Sequence, residues 1–320
     1  MTPGGARGRE GAAERGGQAV RLDALVVRRE LRAAGLRPRH GLSQNFLADP
    51  DVLQAILDEA APAPGRRVLE IGAGLGILTG GLLAAGAAVT AIELDRGLAA
   101  RLRATQAAAL DLAAREPDAA GSLRLVEGDI LDQSVGELVS PPYDVVANLP
   151  YHVTSPVLHL LLGAPPRPDR LVVMVQREVA ERLAAPPGAM SYLSVFVQYH
   201  ARVRIAFAVP PAAFEPEPAV DSAVVVLEPF AADDRLDPAA EDDVWRLVQA
   251  AFRERRKMLR NVLVRQLPVP AERIEAALAA TGIAGDRRPQ TLGVGEWLAL
   301  HEAVGPLPAD RRGRRAGDSS

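Results

Sequence analysis

The sequence predicts an α/β protein, with a seven-strand, mostly parallel sheet in one large domain followed by a small all-helical domain. Three observations lead there. Short β-branched runs alternate with amphipathic helical patterns over residues 51–185, the signature of βα units. Two later strand-like runs are joined only by a Pro-rich stretch that cannot hold a crossover helix, so they suit an antiparallel edge. Beyond Pro229, the polar and acidic segment Ala231–Asp237 reads as a linker, and everything after it is helical in pattern.

In chain order, strands are expected at Val68–Ile71, Val89–Ile92, Leu123–Val126, Val145–Ala147 and Leu171–Val175. Helices are expected at 51–60, with Asp49 as cap and Pro50 in first position, and at 77–85, 96–115, 155–163 and 176–185. Ala201–Val209 and Ala223–Leu227 complete the seven strands, and helices follow at 239–252, 254–266, 270–281 and 294–303. Residues 1–20 and 308–320 are Gly/Ala/Arg-rich or polar without period, and are expected to be disordered. The domain boundaries read as 21–230 and 231–307. No internal repeat is present.

The 320 residues suffice for one large and one small domain, and 48% hydrophobic content excludes a disordered or fibrous chain. No apolar run approaches the ~18 residues of a membrane span, and the first twenty residues lack the apolar core of a secretory signal. Without cysteine there is no disulfide framework, thiolate metal site or cysteine nucleophile. The five histidines show no ligand spacing, so no metal is expected, and Ser222 beside Asp221 has no histidine placed to form a triad. A cytoplasmic protein away from membranes is the resulting expectation. A net charge of −3 argues against a simple polycation. Lys257 is the sole lysine; with so much Ala, Gly and Pro, the arginine bias reflects GC-rich coding rather than phosphate chemistry over the whole surface.

Val68-Leu-Glu-Ile-Gly-Ala-Gly-Leu-Gly76 runs from strand through a glycine turn into a helix. Gly72 and Gly74 let backbone approach a ligand closely, and the helix N-terminus favours an electron-rich group. The spacing is G-x-G-x-G, not the dinucleotide pattern. Glu93 ends the next strand, where a carboxylate can take both ribose hydroxyls of an adenosine-containing ligand. Asp129 follows the third strand and can accept from an adenine amine, or merely cap a helix.

Asn148-Leu-Pro-Tyr151 ends the fourth strand. The Asn148 side-chain oxygen and the Leu149 carbonyl can both accept from one exocyclic amine, turning its nitrogen lone pair toward an electrophile. Pro150 fixes the backbone, and Tyr151 offers a face for a splayed base. A strand-ending turn with a packed tyrosine is the plainer alternative. A third feature is basic: residues 245–265 carry seven positive side chains against Glu254 alone. Arg253, Arg256, Lys257 and Arg260 share one face at helical spacing, Arg255 lies beside them, and the cluster favours RNA phosphates over a merely solvated face.

These motifs, with Gln44-Asn-Phe-Leu47, Ile92-Glu-Leu-Asp95, Val209–Ser222 and Arg255-Arg-Lys-Met-Leu-Arg-Asn261, occur in an order that resembles the small-subunit ribosomal RNA adenine N6,N6-dimethyltransferases. The likeness runs from about residue 37 to about residue 300, both domains included. It implies a Rossmann-like methyltransferase domain, S-adenosylmethionine as cofactor, and N6,N6-dimethyladenosine made at two adjacent adenines in the 3′-terminal hairpin of 16S rRNA. The implied partner is the 30S subunit or its precursor, met by a monomer without an obligate protein partner. Residue by residue, it implies that Asn45 and Leu47 cover the cofactor. Gly72 meets the methionine portion, Glu93 the ribose and Asp129 the adenine. Asn148 lies between cofactor and amine, and Tyr151 and Phe214 sandwich the base. The chain departs from the family at Met190-Ser191, where Tyr-Gly is usual. Three other readings compete: an erythromycin-resistance type methyltransferase of 23S rRNA, a non-catalytic assembly factor and a DNA adenine methyltransferase. The leucine of Asn148-Leu-Pro-Tyr151 and the Arg255–Asn261 run tilt against the first of these. Intact Asn148, Glu93 and Asp129 oppose the second, and Asn rather than Asp at 148 opposes the third.

Overall fold

The computed structural model describes residues 23–36, 44–231 and 236–308. The terminal segments expected to be disordered, apart from Pro308, and the centre of the expected linker lie outside the described residues. The helices are α1 (Ala24–Ala33), α2 (Pro50–Ala60), α3 (Ile77–Ala84), α4 (Arg96–Thr105), α5 (Ala107–Arg115), α6 (Val135–Leu138), α7 (Thr154–Gly163), α8 (Arg177–Leu183), α9 (Tyr192–His200), α10 (Pro238–Phe252), α11 (Leu259–Gln266), α12 (Ala271–Thr281) and α13 (Val294–Val304). The strands are β1 (Phe46–Leu47), β2 (Arg67–Ile71), β3 (Ala88–Glu93), β4 (Leu123–Glu127), β5 (Tyr143–Asn148), β6 (Arg170–Gln176), β7 (Ala201–Val209), β8 (Phe214–Glu215) and β9 (Ser222–Pro229).

Seven strands form one sheet in the order β4-β3-β2-β5-β6-β9-β7. The first five are mutually parallel; β9 runs antiparallel to both β6 and β7. The remaining two, β1 and β8, make a small antiparallel ribbon that local sequence pattern does not reveal. Because strand side chains alternate between faces, the sheet buries two separate apolar layers. Leu69, Ile71, Val145 and Val173 pack with residues of α7, α8 and α9. Val68, Val89, Val146 and Val172 pack against residues of α2, α3 and α4 on the other face.

Several expectations change. The single helix over 96–115 is two, broken at Gln106, whose ψ of 27° at φ −117° leaves the helical region. Helix α9 is an addition to the expected elements: it is buried nearly all round, so no amphipathic period marks it. It starts on a capping box in which Ser191 and Ser194 satisfy each other's amides. The helix expected at 254–266 begins only at Leu259; residues 253–256 form turns, followed by a bend at Lys257 and extended backbone at Met258. The first amides of α11 are satisfied from outside: Leu259 donates to the Arg287 carbonyl at 2.7 Å and Arg260 to that of Gly285 at 3.0 Å. That bonding lets a helix start where the sequence suggested continuation.

Helices α10–α13 enclose their own core around Trp297, Val248 and Leu259. Met190 and Val195 of the preceding segment join that core, so Met190-Ser191 serves packing and capping at this junction. An aromatic cluster ties the two regions together. The Phe196 ring lies 4.0 Å from His159 and 5.1 Å from Trp245, and Tyr199 meets Trp245 at 5.1 Å. Removing the Phe196 ring should therefore cost about 3–5 kcal/mol, as for other buried aromatic truncations. Urea unfolding of Phe196→Ala, followed by tryptophan fluorescence, checks this; a loss under ~1 kcal/mol would show that the cluster does not join the regions.

Candidate functional site

Strand order reverses between β2 and β5, so their connections leave on opposite faces and a crevice opens at the carboxyl edge. The cleft there is lined by residues of β2, β3 and β5 and of the turns that follow them. Its floor is the turn after β2. Gly72 and Gly74 have φ of +76° and +57°, which side-chain-bearing residues rarely adopt. A Cβ at Gly74 would sit 3.4 Å from the Phe46 ring, narrowing the cleft against β1. Gly76 has another reason: a Cβ there would lie 2.4 Å from Leu102, so it serves the packing of α3 on α4.

Glu93, only 6% exposed at the end of β3, holds two turns at once. Its carboxylate accepts from the Gly74 amide at 2.8 Å and from the Asp95 amide at 2.7 Å. Burial pushes its carboxyl above the ordinary carboxylate range, while those amides pull it back. Each oxygen keeps a second lone pair for a ligand hydroxyl. Asp129 lines the cleft too, and its Oδ1 caps the turn at Leu131 at 3.0 Å. Thus the capping role is real and one carboxylate oxygen remains for the cleft.

Asn148, Leu149, Pro150 and Tyr151 line the cleft together with Asn45 and Leu47. The Asn148 amide nitrogen donates to the Asn45 carbonyl at 3.3 Å, which turns Oδ1 the other way. The Leu149 amide is spent on the Met174 carbonyl at 3.1 Å, and its own carbonyl lies at the strand's end. The Tyr151 hydroxyl is 2.9 Å from Ser222 Oγ. Cofactor-side and amine-side residues expected from the sequence thus meet in one cleft, with one exception. Phe214 is 1% exposed, packed in the core opposite Leu47 in the β1–β8 ribbon, and is absent from the cleft wall.

The basic segment is also corrected. Since residues 253–258 are not helical, Arg253, Arg256, Lys257 and Arg260 do not share a helical face. All of them, and Arg255, are exposed. Arg253 donates to Gln266 and Arg260 pairs with Glu275 at 2.5 Å. Arg255, Arg256 and Lys257 have no carboxylate partner among the described residues and remain available to an external anion. The described residues hold no cluster of metal-ligating side chains and no helix long and apolar enough to cross a membrane.

Glu70 is a site residue that sequence reasoning misses, although a lone acid inside Val68-Leu-Glu-Ile71 is a signal. It is 1% exposed on the cleft wall, and its Oε2 has no hydrogen-bond partner. Burial pushes its carboxyl up to about 8; the Thr79 hydroxyl opposes this and the Glu93 charge adds to it. The folded protein therefore keeps a proton that the unfolded chain releases above about 4.5, and this contribution to stability falls as pH rises toward about 8. Glu70→Gln cannot titrate, so its melting temperature relative to wild type should climb between pH 5 and pH 8. A constant difference in scanning calorimetry across that range would refute the assignment.

Comparison with known proteins places this cleft in a family. The model of the family described as ribosomal RNA adenine dimethylase matches residues 35–304. A ribosomal RNA small subunit methyltransferase A of Anaeromyxobacter sp. (strain K) is 45% identical over 278 residues, covering 84% of this chain and 94% of that protein. The protein of the same name from Geobacter sulfurreducens is 41% identical, covering 86% and 98%. Among solved structures, a dimethyladenosine transferase from Plasmodium falciparum aligns with a TM-score of 0.66 at 25% identity, covering 82% of this chain and 99% of that one. The 23S rRNA methyltransferase ErmE aligns with a TM-score of 0.62 at 28% identity, covering 81% and 99%. With the motifs gathered in one cleft and the likeness running through most of its length, the chain belongs to the ribosomal RNA adenine dimethylase family.

Proposed function

We propose that the protein transfers methyl groups from S-adenosylmethionine to N6 of two adjacent adenosines in the 3′-terminal hairpin of 16S rRNA, giving N6,N6-dimethyladenosine. The substrate is the 30S subunit or its precursor, met by a cytoplasmic monomer. The observation that carries this reading is the orientation of Asn148, whose amide nitrogen donates to the Asn45 carbonyl so that Oδ1 stays an acceptor. Small-subunit relatives at 41–45% identity favour this target over the large-subunit one of ErmE at 28%.

The residues present fit the cofactor. The Gly72–Gly74 backbone gives close approach, Glu93 has lone pairs for ribose hydroxyls, and Asp129 keeps one oxygen for an amine. When bound, S-adenosylmethionine supplies an electrophilic methyl carbon on a sulfonium. The protein's part is positioning. Asn148 Oδ1 and the Leu149 carbonyl accept the two N6 hydrogens and aim the lone pair. As positive charge grows on N6, these acceptors stabilise it more in the transition state than in the ground state. The methylated amine is then acidic enough to release its proton to water. Tyr151 supports the base by stacking. The helical segment, bounded at 231–307, holds RNA phosphates through the Arg255–Lys257 turn, with Arg253 and Arg260 flanking it.

Asn148→Ala should slow single-turnover methylation of unmethylated 30S particles by at least ~10²-fold at saturating cofactor while leaving particle binding intact. A rate within a few-fold of wild type would remove Asn148 from the chemical step. Replacing Arg255, Arg256 and Lys257 with Gln should weaken particle binding and lower the log–log salt slope by roughly 0.7–0.9 for each phosphate no longer neutralised. Cofactor affinity should not move. An unchanged slope would put the RNA footprint elsewhere.

A further inference from the structure

Ser222 opens β9 in a run that is otherwise apolar, Ser222-Ala-Val-Val-Val-Leu227, and it is wholly buried. A buried hydroxyl without a partner is costly, so the partner it does have is informative. That partner is the Tyr151 hydroxyl at 2.9 Å, its one side-chain hydrogen bond among the described residues. The serine is held from both sides. It is registered opposite Gln176 of β6 and Val209 of β7. Its neighbour Asp221 accepts from the Arg177 amide at 2.9 Å and pairs with the Arg177 guanidinium at 3.5 Å. Ser222 Oγ is thus a fixed point of the sheet, whereas Tyr151 stands half-buried in the turn after β5, on the cleft wall.

A tyrosine ring on an open cleft has more than one rotamer within reach. Tying its hydroxyl selects one. Because a phenolic O–H lies near the ring plane, a partner at hydrogen-bond distance also constrains rotation about the ring axis. We propose that Ser222 is a positioning residue for methyl transfer, fixing through the Tyr151 hydroxyl the ring plane on which the target adenine stacks beside Asn148. This rests on the reading of Tyr151 as the stacking face. Small misplacements of a reacting group are expensive in rate, so a lost tether should be felt in the chemical step rather than in cofactor binding.

The test is a kinetic cycle of Ser222→Ala, Tyr151→Phe and the double variant, with Tyr151→Ala alongside. Each is assayed in single turnover on unmethylated 30S particles at saturating S-adenosylmethionine. Each of the first two should slow methylation about three- to tenfold, the scale of one hydrogen bond, with cofactor affinity unchanged. The double variant should be no slower than the slower single one, since both remove the same bond. Additive losses, or a wild-type rate in Ser222→Ala beside a slow Tyr151→Ala, would overturn the positioning role and leave the stacking reading standing. A wild-type rate in Tyr151→Ala would overturn both. If Ser222→Ala fails to fold, Tyr151→Phe breaks the bond from the other side, and a wild-type rate there overturns the proposal.

Discussion

The reversal of strand order between β2 and β5 governs where everything else at the cleft can stand. Parallel strands on either side of that point send their connections to opposite faces of the sheet, and nothing fills the carboxyl edge between them. Gly72, Glu93, Asp129 and Asn148, scattered over more than seventy positions, reach one edge because each ends or follows a strand of the same parallel set. The Glu93 carboxylate then holds that edge in shape. By accepting from Gly74 and Asp95 together, it ties the glycine turn to the start of α4. Its burial disfavours the charge, and the two amides restore part of what burial removes. At Glu70, on the preceding strand, burial outweighs the opposing Thr79 donors and pushes the carboxyl up to about 8.

Over the cleft lies a second device, the β1–β8 ribbon. It carries Leu47, with Asn45 just before it, on one strand and Phe214 on the other, and Leu47 sits directly opposite Phe214. The Asn45 carbonyl reaches Asn148, and the Phe46 ring approaches Gly74. Helix α1 braces this arrangement from outside: Val27 and Leu31 pack with Phe46 and Leu75, Arg28 pairs with Glu215, and Arg101 pairs with Glu30 while donating to the Leu75 carbonyl. The Asn45–Leu47 segment and Asn148 are therefore parts of one hydrogen-bonded unit. Two-residue strands are weak alone, so their burial against α1 and the core supplies the persistence.

The helical region shows a different division of labour. Its core is shared with α9 and Met190, which joins it to the sheet, while its charges lie in an exposed turn. The loop at 285–287 satisfies the first amides of α11, so the Arg255–Lys257 turn is carried by a braced framework rather than by a helix face. Carboxylates claim Arg260 and Arg265 but not that turn. Surface pairs of this kind contribute little to stability, and they leave Arg255, Arg256 and Lys257 without a carboxylate partner among the described residues.

Local pattern alone establishes the parallel sheet, its antiparallel edge, the helical region and most of the cleft. Val68–Gly76, Glu93 and Asn148–Tyr151 are contiguous motifs whose strand-end positions follow from the residues around them, and topology then brings such positions to one edge. Long-range contacts settle what remains. Where α11 starts depends on carbonyls 25 and 28 residues further along the chain, and α9 has no period because partners surround it. Phe214, a stacking face by resemblance alone, lies in the core opposite Leu47. Ser222 reads as inert until the Tyr151 hydroxyl is found beside it, and Glu70 as any strand residue until its burial is known. Each of these depends on two residues distant in sequence, and a local pattern carries no information about which distant atom will be within hydrogen-bond reach.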